Sequence, residues 1–330
     1  MGSTIKDVAR YAGVSVATVS RVINNLSGYT EETRKQVLRT IEELGYTPNA
    51  IARGLVNKKT STIGVLLPSL TSKFMNELLN GIESVAHKRE KSVILCNTDT
   101  DGSRTEQYLK VLNEKQVDGI IFVSEWLKES YGQIMVDMKI PVVLVSTYTY
   151  RFNFPYIRVD DTKASYTATS YLIEKGHREI GMISGRRGDP VAGYPRIEGY
   201  KKALNDAGIP FREEYIAYGD FHYRSGVKSA EELLKRVPHI TAVFATSDEM
   251  ALGVLSYAYR AGISVPDELS VIGYDDTQDA EMAIPPLTTI HQPIFEMGVR
   301  AVEMLLSPGG KESVIMPYHI VERESVKSLQ

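Results

Sequence analysis

The stretch TIKDVARYAGVSVATVSRVINN, residues 4–25, decides how the amino-terminal part of the chain folds. Thr4 followed three residues on by Asp7 reads as a capping box at a helix start. Val8, Ala9, Ala12 and Val14 are small and apolar, as two closely crossing helices require, and Gly13 suits the positive φ of a tight turn between them. Ser15 stands where it caps a second helix over 16–23, with Val16, Ala17, Thr18 and Arg21 on its exposed face. Thr30 starts a third helix with Val37, Leu38, Ile41 and Leu44 at helical spacing; it stops at Gly45 and closes a small core with Val8, Val19 and Val22. This is the pattern of a helix-turn-helix, whose second helix lies in a DNA major groove.

Working outward, Thr47-Pro48 opens a helical stub that runs to Leu55. About seven residues do not hold a helix alone in water, and Gly54 weakens this one further. The stub is expected to order only against a partner, and residues 57–62 form a polar linker behind it. From Ile63 the pattern changes to short continuous apolar runs alternating with helical stretches. Strands are expected at 62–67, 92–97, 118–124, 141–146 and 156–160, then at 179–184, 215–219, 241–246 and 270–274. Runs apolar on both faces signal doubly wound parallel sheets, and two sets signal two lobes. A strand at 288–290, a helix at 294–306 and a strand at 314–322 are expected to cross back and complete both lobes. The domains are therefore a 1–47 head, a 48–61 hinge and linker, and a 62–330 sensor. Its N-lobe takes 62–160 and 291–319, its C-lobe 161–290 and 320–330. In such sheets ligands sit beyond the carboxyl ends of the strands, so two facing lobes make a cleft.

Composition narrows the function. A chain of 330 residues with 43% hydrophobic and 24% charged residues has ample sequence for large cores. The net charge of −3 hides an asymmetry: residues 1–60 carry nine Lys/Arg against five Asp/Glu, so the rest carries −7. A basic head joined to an acidic body fits a DNA-binding module joined to a sensor. The single cysteine, Cys96 within an apolar run, excludes an internal disulfide and reads as a buried strand thiol. No run approaches the ~18 apolar residues of a membrane span and no cleavable signal precedes Thr4, so the expectation is a cytoplasmic, nucleoid-associated protein with no membrane partner. The six histidines (87, 177, 222, 239, 291, 319) lack metal-ligand spacing, and neither metal nor cofactor is expected. Asp160-Asp161 and Asp275-Asp276 are adjacent pairs that do not face one substrate atom. With no phosphate loop, dinucleotide fingerprint or nucleophile elbow, the chain is not expected to be an enzyme. A sugar-transport binding protein would share the two lobes but would need a secretion signal where the helix-turn-helix stands.

These strings, with TEETRKQVLRTIEELGYTPNAIARGL at 30–55 and the later blocks YLIEKGHREIGMISG, FATSDEMALGVL, SVIGYDDTQ and PPLTTIHQP, resemble the LacI/GalR family of bacterial transcription regulators along essentially the whole chain. The resemblance implies that Val16, Ala17 and Arg21 reach base edges, Arg21 chelating a guanine and the methyls packing on thymine. Thr18 and Ser20 carry short hydroxyls suited to phosphates or equally to helix-surface solvation, and Asn24, Asn25, Tyr29, Thr33 and Arg34 are expected to contact the DNA backbone, with Thr4, Ser15 and Asn49 counted in the same surface. Leu55 matches the family's hinge leucine, an apolar wedge that kinks the operator from the minor groove, and Ala52 lets two hinge helices touch.

The resemblance also implies a sugar effector. Arg196 matches an arginine that forks onto ligand hydroxyls, Asp275 a carboxylate that accepts from vicinal hydroxyls, and Phe221 an aromatic that stacks on a pyranose face. Ser247 stands where the family usually has Asn, and Ser146 where one relative has Asp; Pro68, Ser69 and Phe74 match cleft-wall positions. Read from residue type alone, Arg196 is also a candidate structural ion pair, Asp275 a turn cap with Asp276, and Phe221 a core residue. Trp126 and the series Tyr148, Tyr150, Phe152, Phe154 and Tyr156 suggest an extended site for a second sugar ring. Alternation at period two is equally the mark of a half-buried strand. The expected function is a homodimeric repressor of a carbohydrate operon, released from a pseudo-palindromic operator by a galactoside or other di- or oligosaccharide. The alternative is a regulator whose DNA binding is promoted by a corepressor or a phosphorylated partner protein. Dimer contacts are expected from Met75, Leu78, Leu79, Ile82 and Val85 and from 248–260, stripes that also suit a lobe core. The chain stops before any leucine-heptad tail of the kind that makes tetramers, so a dimer is the expected assembly.

Overall fold

A computed structural model describes residues 3–46, 60–99, 101–307 and 312–329. The hinge stub, with Asn49, Ala52 and Leu55, lies outside the described residues. The described chain falls into two compact units, the head and the sensor.

In the head, α1 (Ile5–Tyr11), α2 (Val16–Ile23) and α3 (Glu31–Glu43) each start on a side-chain cap: Thr4, Ser15 and Thr30. Thr4 and Asp7 form the reciprocal box, the Thr4 N–H donating to the Asp7 carboxylate at 3.0 Å. Gly13, at φ +62°, makes the turn between α1 and α2. Val8, Ala9, Ala12, Val19, Val22 and Val37 fill the core, with Ile41 and Leu44 against them. Leu38 departs from expectation. It sits one position past Val37, which turns it off the buried stripe, and 42% of it is exposed.

The sensor contains two six-stranded sheets. The first, ordered β11-β5-β4-β3-β1-β2, takes β1 (Thr62–Leu67), β2 (Ser92–Asn97), β3 (Gly119–Val123), β4 (Val142–Val145), β5 (Tyr156–Arg158) and β11 (Val314–Ile315). The second, ordered β12-β10-β9-β8-β6-β7, takes β6 (Ile180–Ser184), β7 (Ile216–Tyr218), β8 (Ala242–Ala245), β9 (Ser270–Asp275), β10 (Thr288–His291) and β12 (His319–Val321). The central strands β3, β4, β6, β8 and β9 are buried along their whole length, as strands covered by helices on both faces must be. The expected single strand at 314–322 is corrected to two. Pro317 has no N–H for a ladder, and the chain breaks there, β11 pairing parallel to β5 and β12 antiparallel to β10. The second sheet is thus parallel except for this edge strand.

The helices are α4 (Lys73–Lys88), α5 (Thr105–Glu114), α6 (Glu129–Asp137), α7 (Asp161–Glu174), α8 (Gly193–Asp206), α9 (Tyr223–Arg236), α10 (Asp248–Ala261), α11 (Gln278–Met282) and α12 (Ile294–Leu306). On α4, Met75, Leu78 and Ile82 are buried within the first lobe. Gly81 and Gly298 let α4 and α12 meet backbone to backbone: a Cβ on Gly81 would lie 2.1 Å from the Phe295 carbonyl oxygen. Three of the five α4 residues expected at a dimer contact are therefore lobe core, leaving Leu79 and Val85 half-buried. The 248–260 stripe divides likewise: Met250, Ala251, Val254, Leu255 and Ala258 are core, and Tyr259 is exposed.

Candidate functional site

Helix α2 exposes Val16, Ala17 and Arg21 together, on the face away from Val19 and Val22. The Arg21 guanidinium lies beside Gly28, where a Cβ would stand 3.0 Å from its Nη1. The hydroxyls nearby already have work within the head. Ser15 accepts the Thr18 N–H at 3.1 Å and bonds the Thr18 hydroxyl, and Thr30 and Thr33 repeat the arrangement on α3. Asn24 donates to the Ser20 carbonyl at 2.8 Å, and Tyr29 is half-buried against the core. Thr4, Ser15 and Asn24 thus shape the head locally.

Between the lobes of the sensor lies a cleft of about 350 Å³. Pro68, Ser69, Phe74, Trp126, Ser146, Arg196, Phe221, Ser247 and Asp275 all line it, from seven separate segments of the chain. The five aromatics from Tyr148 to Tyr156 do not. Tyr148 lies under the Arg158 guanidinium at 4.5 Å, while Phe152 presses on Gly132 and stacks with Phe154. Only Tyr156 begins a strand; the others belong to the loop after β4, so both the strand reading and the extended-site reading of this series are corrected.

The C-lobe wall is an interlocked set of charges. Arg196, buried on α8, donates from Nε to Asp161 at 2.8 Å and from Nη1 to the Thr246 carbonyl at 2.5 Å. Its guanidinium lies 3.8 Å from the Tyr274 ring centre, and the Tyr274 hydroxyl donates to the same Asp161 oxygen at 2.9 Å. Burial works against the Arg196 charge, but Asp161, Tyr274 and Asp275 outweigh it and raise its pKa. The ion-pair role and a ligand role are compatible here: of the five N–H bonds of a guanidinium, two are used and three remain.

Asp275 ends β9 at φ +123° and accepts from Gln292 Nε2 at 2.8 Å. Burial pushes its carboxyl well above the ordinary range, with Arg196 pulling it back. The structural partner of the pair is Asp276, which holds Arg323 at 2.7 Å and His291 at 2.8 Å. Behind them Asp248 accepts from Thr289 and Thr277; burial pushes it up to about 7 despite those bonds. Phe221, at φ +73°, lays its ring over Gly185, where any Cβ would overlap it. Ser247 is accounted for within the wall. Its hydroxyl donates to the Phe221 carbonyl at 3.0 Å and accepts the Met250 N–H as the cap of α10, so it holds Phe221 in place.

The N-lobe wall includes Pro68, several serines and the rings of Phe74 and Trp126. Ser124 and Ser146 follow β3 and β4 with φ of +49° and +52°. The Ser146 hydroxyl is buried with no partner among the described residues, and Trp126 is 52% exposed. Glu125 was not singled out in the sequence. It accepts from the Thr98 and Thr105 hydroxyls at 2.8 Å each, and burial raises its pKa. Gln292 and Asp161 were also missed, although Gln292 stands in the PPLTTIHQP block and Asp161 opens a helix at the end of an expected strand. Among the described residues no group of three or more metal-ligating side chains is gathered, and no helix is long and apolar enough to cross a membrane.

Residues 4–49 match the profile of bacterial regulatory proteins of the lacI family, and residues 169–326 that of a periplasmic binding protein-like domain. The chain is 40% identical to catabolite control protein A of Priestia megaterium, over 99% of this chain and 100% of the relative. Among solved structures it resembles a complex of the transcriptional regulator CelR with cellobiose, at 33% identity and a TM-score of 0.74, covering 98% of this chain and 99% of that one. It also resembles the lac repressor dimer bound to operator and the anti-inducer ONPF, at 28% identity and a TM-score of 0.88, over 99% of this chain and 100% of that one. A helix-turn-helix unit followed by a two-lobed ligand-binding unit defines a DNA-binding transcription regulator and not an enzyme. The chain belongs to the lacI family of bacterial regulatory proteins.

Proposed function

We propose that this chain is a cytoplasmic, homodimeric repressor of a carbohydrate-utilisation operon, released from a pseudo-palindromic operator when a sugar enters the interlobe cleft. The observation that carries this reading is the convergence of Arg196 and Asp275 with Phe221 on one wall, facing Trp126 on the other. Bidentate donors and acceptors suit vicinal hydroxyls, and the aromatic faces suit the apolar faces of sugar rings. The charge balance argues for an uncharged ligand. The described wall carries seven carboxylates against five Lys and Arg, and each of those five is already engaged. A phosphorylated sugar would meet a wall with more carboxylates than cations. The rings of Phe74, Trp126 and Phe221 and about 350 Å³ favour a galactoside or other di- or oligosaccharide over a single ring.

In this reading Val16, Ala17 and Arg21 read the operator, and the hinge, with Asn49, Ala52 and Leu55, engages the minor groove at its centre. Sugar binding uncouples the paired hinges, a coupling typically of ~1–3 kcal/mol per ligand. Gel retardation on an upstream palindromic site, with a sugar panel headed by cellobiose, tests this. Retardation is expected to weaken tens- to thousands-fold with the right sugar. Leu55→Ala is expected to abolish tight binding while weak nonspecific binding survives. A panel in which nothing lowers retardation would favour the second reading, DNA binding promoted by a corepressor or a phosphorylated partner.

A further inference from the structure

The start of α4 is capped from the other lobe. Ser72, the residue before it, makes no side-chain cap hydrogen bond. The first N–H of the helix, that of Lys73, instead donates at 3.0 Å to the carboxylate of Glu249 in the first turn of α10. The Lys73 ammonium lies 3.3 Å from Asp279 on α11, again in the C-lobe. Lys73, Ser72 and Glu249 all line the cleft. The chain itself joins the lobes elsewhere, between β5 and α7, between β10 and α12, and between β11 and β12.

We propose that Lys73, Glu249 and Asp279 form an electrostatic clasp that holds the two lobes together across the cleft, so that ionic strength regulates access even of an uncharged effector. The proposal rests on reading the cleft as the effector site, since only then does access matter. A carboxylate at a helix start meets the positive end of its dipole, and the ammonium adds a second attraction on the same residue. Both contacts are half-exposed, Lys73 by 52% and Asp279 by 33% of the side chain, so each is individually weak and screened by salt. That weakness is what a gate needs. A buried pair would shut the cleft permanently, whereas a screened one opens spontaneously and recloses on whatever has entered. Because a ligand that needs the closed form binds in proportion to the fraction closed, weakening the clasp also lowers apparent affinity.

The test needs no sugar. Nitroxide labels at exposed Gln133 on α6 and Lys228 on α9, both introduced as cysteines, report the distance between lobes by pulsed electron resonance in full-length protein diluted with unlabelled chain. Cys96 is buried, with its thiol pushed up to about 11 by burial, and resists labelling. In low salt the parent is expected to give one short distance. Lys73→Met with Glu249→Ala is expected to raise the open-to-closed ratio about tenfold, the sum of two such contacts, while Lys73→Arg stays with the parent. Molar salt is expected to open the parent and to add nothing to the double variant. Superimposed distance distributions for parent and double variant, in low and high salt, would overturn the clasp. A salt-dependent opening in a protein that binds no sugar of the panel would instead support the clasp and remove the effector reading.

Discussion

The two walls of the cleft solve one recognition problem with opposite materials. On the C-lobe side Arg196, Asp161, Tyr274 and Asp275 are buried and hydrogen-bonded to one another, and Ser247 fixes Phe221 from behind. On the N-lobe side stand Ser124, Ser146 and a half-exposed Trp126. The first wall has met its ordering cost during folding, which is what preorganisation means for affinity. The second has fewer fixed partners and adapts to what the first wall holds. The C-lobe wall is therefore expected to set which hydroxyls are read, and the N-lobe wall how long a saccharide is retained.

The contrast breaks most visibly at Arg196. Arg196→Met strands Asp161 and the Thr246 carbonyl without their cation in a buried site, so urea denaturation of the sensor is expected to show a loss of about 3–5 kcal/mol. A loss under 1 kcal/mol would mean that the network is not a folding element. The buried carboxylates give the next effect. Asp248 has its folded pKa raised to about 7, so the folded form keeps a proton that the unfolded chain releases near 4. Its contribution is complete below that lower value and is lost as pH rises through 7, with a slope of at most about 1.4 kcal/mol per pH unit. The melting temperature is expected to fall between pH 5 and 8, and to fall less in Asp248→Asn; an equal fall in both would assign the dependence elsewhere. Asp275 shares the direction, so sugar hydroxyls that donate to its carboxylate should bind more tightly as pH rises. The smallest effect separates the walls. Phe221→Ala is expected to cost about 1.5–3 kcal/mol of affinity for mono- and disaccharides alike. Trp126→Ala is expected to cost about 1 kcal/mol, for the disaccharide only. Calorimetry showing equal losses for both sugars at Trp126 would merge the two walls into one site.

How much of this was legible depended on how far apart the interacting residues stand. The head was readable because its signals are local: caps at Thr4, Ser15 and Thr30 lie three residues from their partners. The sheets were readable because strands covered on both faces have no polar alternation to confuse the pattern. Arg196 lines the cleft, but its partner Asp161 stands 35 residues earlier, and no local rule joins them. The run from Tyr148 to Tyr156 misled because a loop can show period two by chance, and only packing on Gly132 and Arg158 reveals where each ring goes. Ser247 lines the cleft and also caps α10, and its bond to the Phe221 carbonyl joins residues 26 apart, which no local rule links.

The glycine-to-glycine seam between α4 and α12 has a consequence for how the protein is made. The N-lobe opens the sensor at Thr62, yet its closing helix spans Ile294–Leu306 and its edge strand begins at Val314. A ribosome emitting the chain releases the head first, and the head carries its own small core. The C-lobe strands β6 to β10 follow, while the α4 face with Met75, Leu78 and Ile82 waits uncovered for α12. Nascent chains stalled before residue 294 should therefore hold a folded DNA-reading head beside a first lobe that still needs a chaperone.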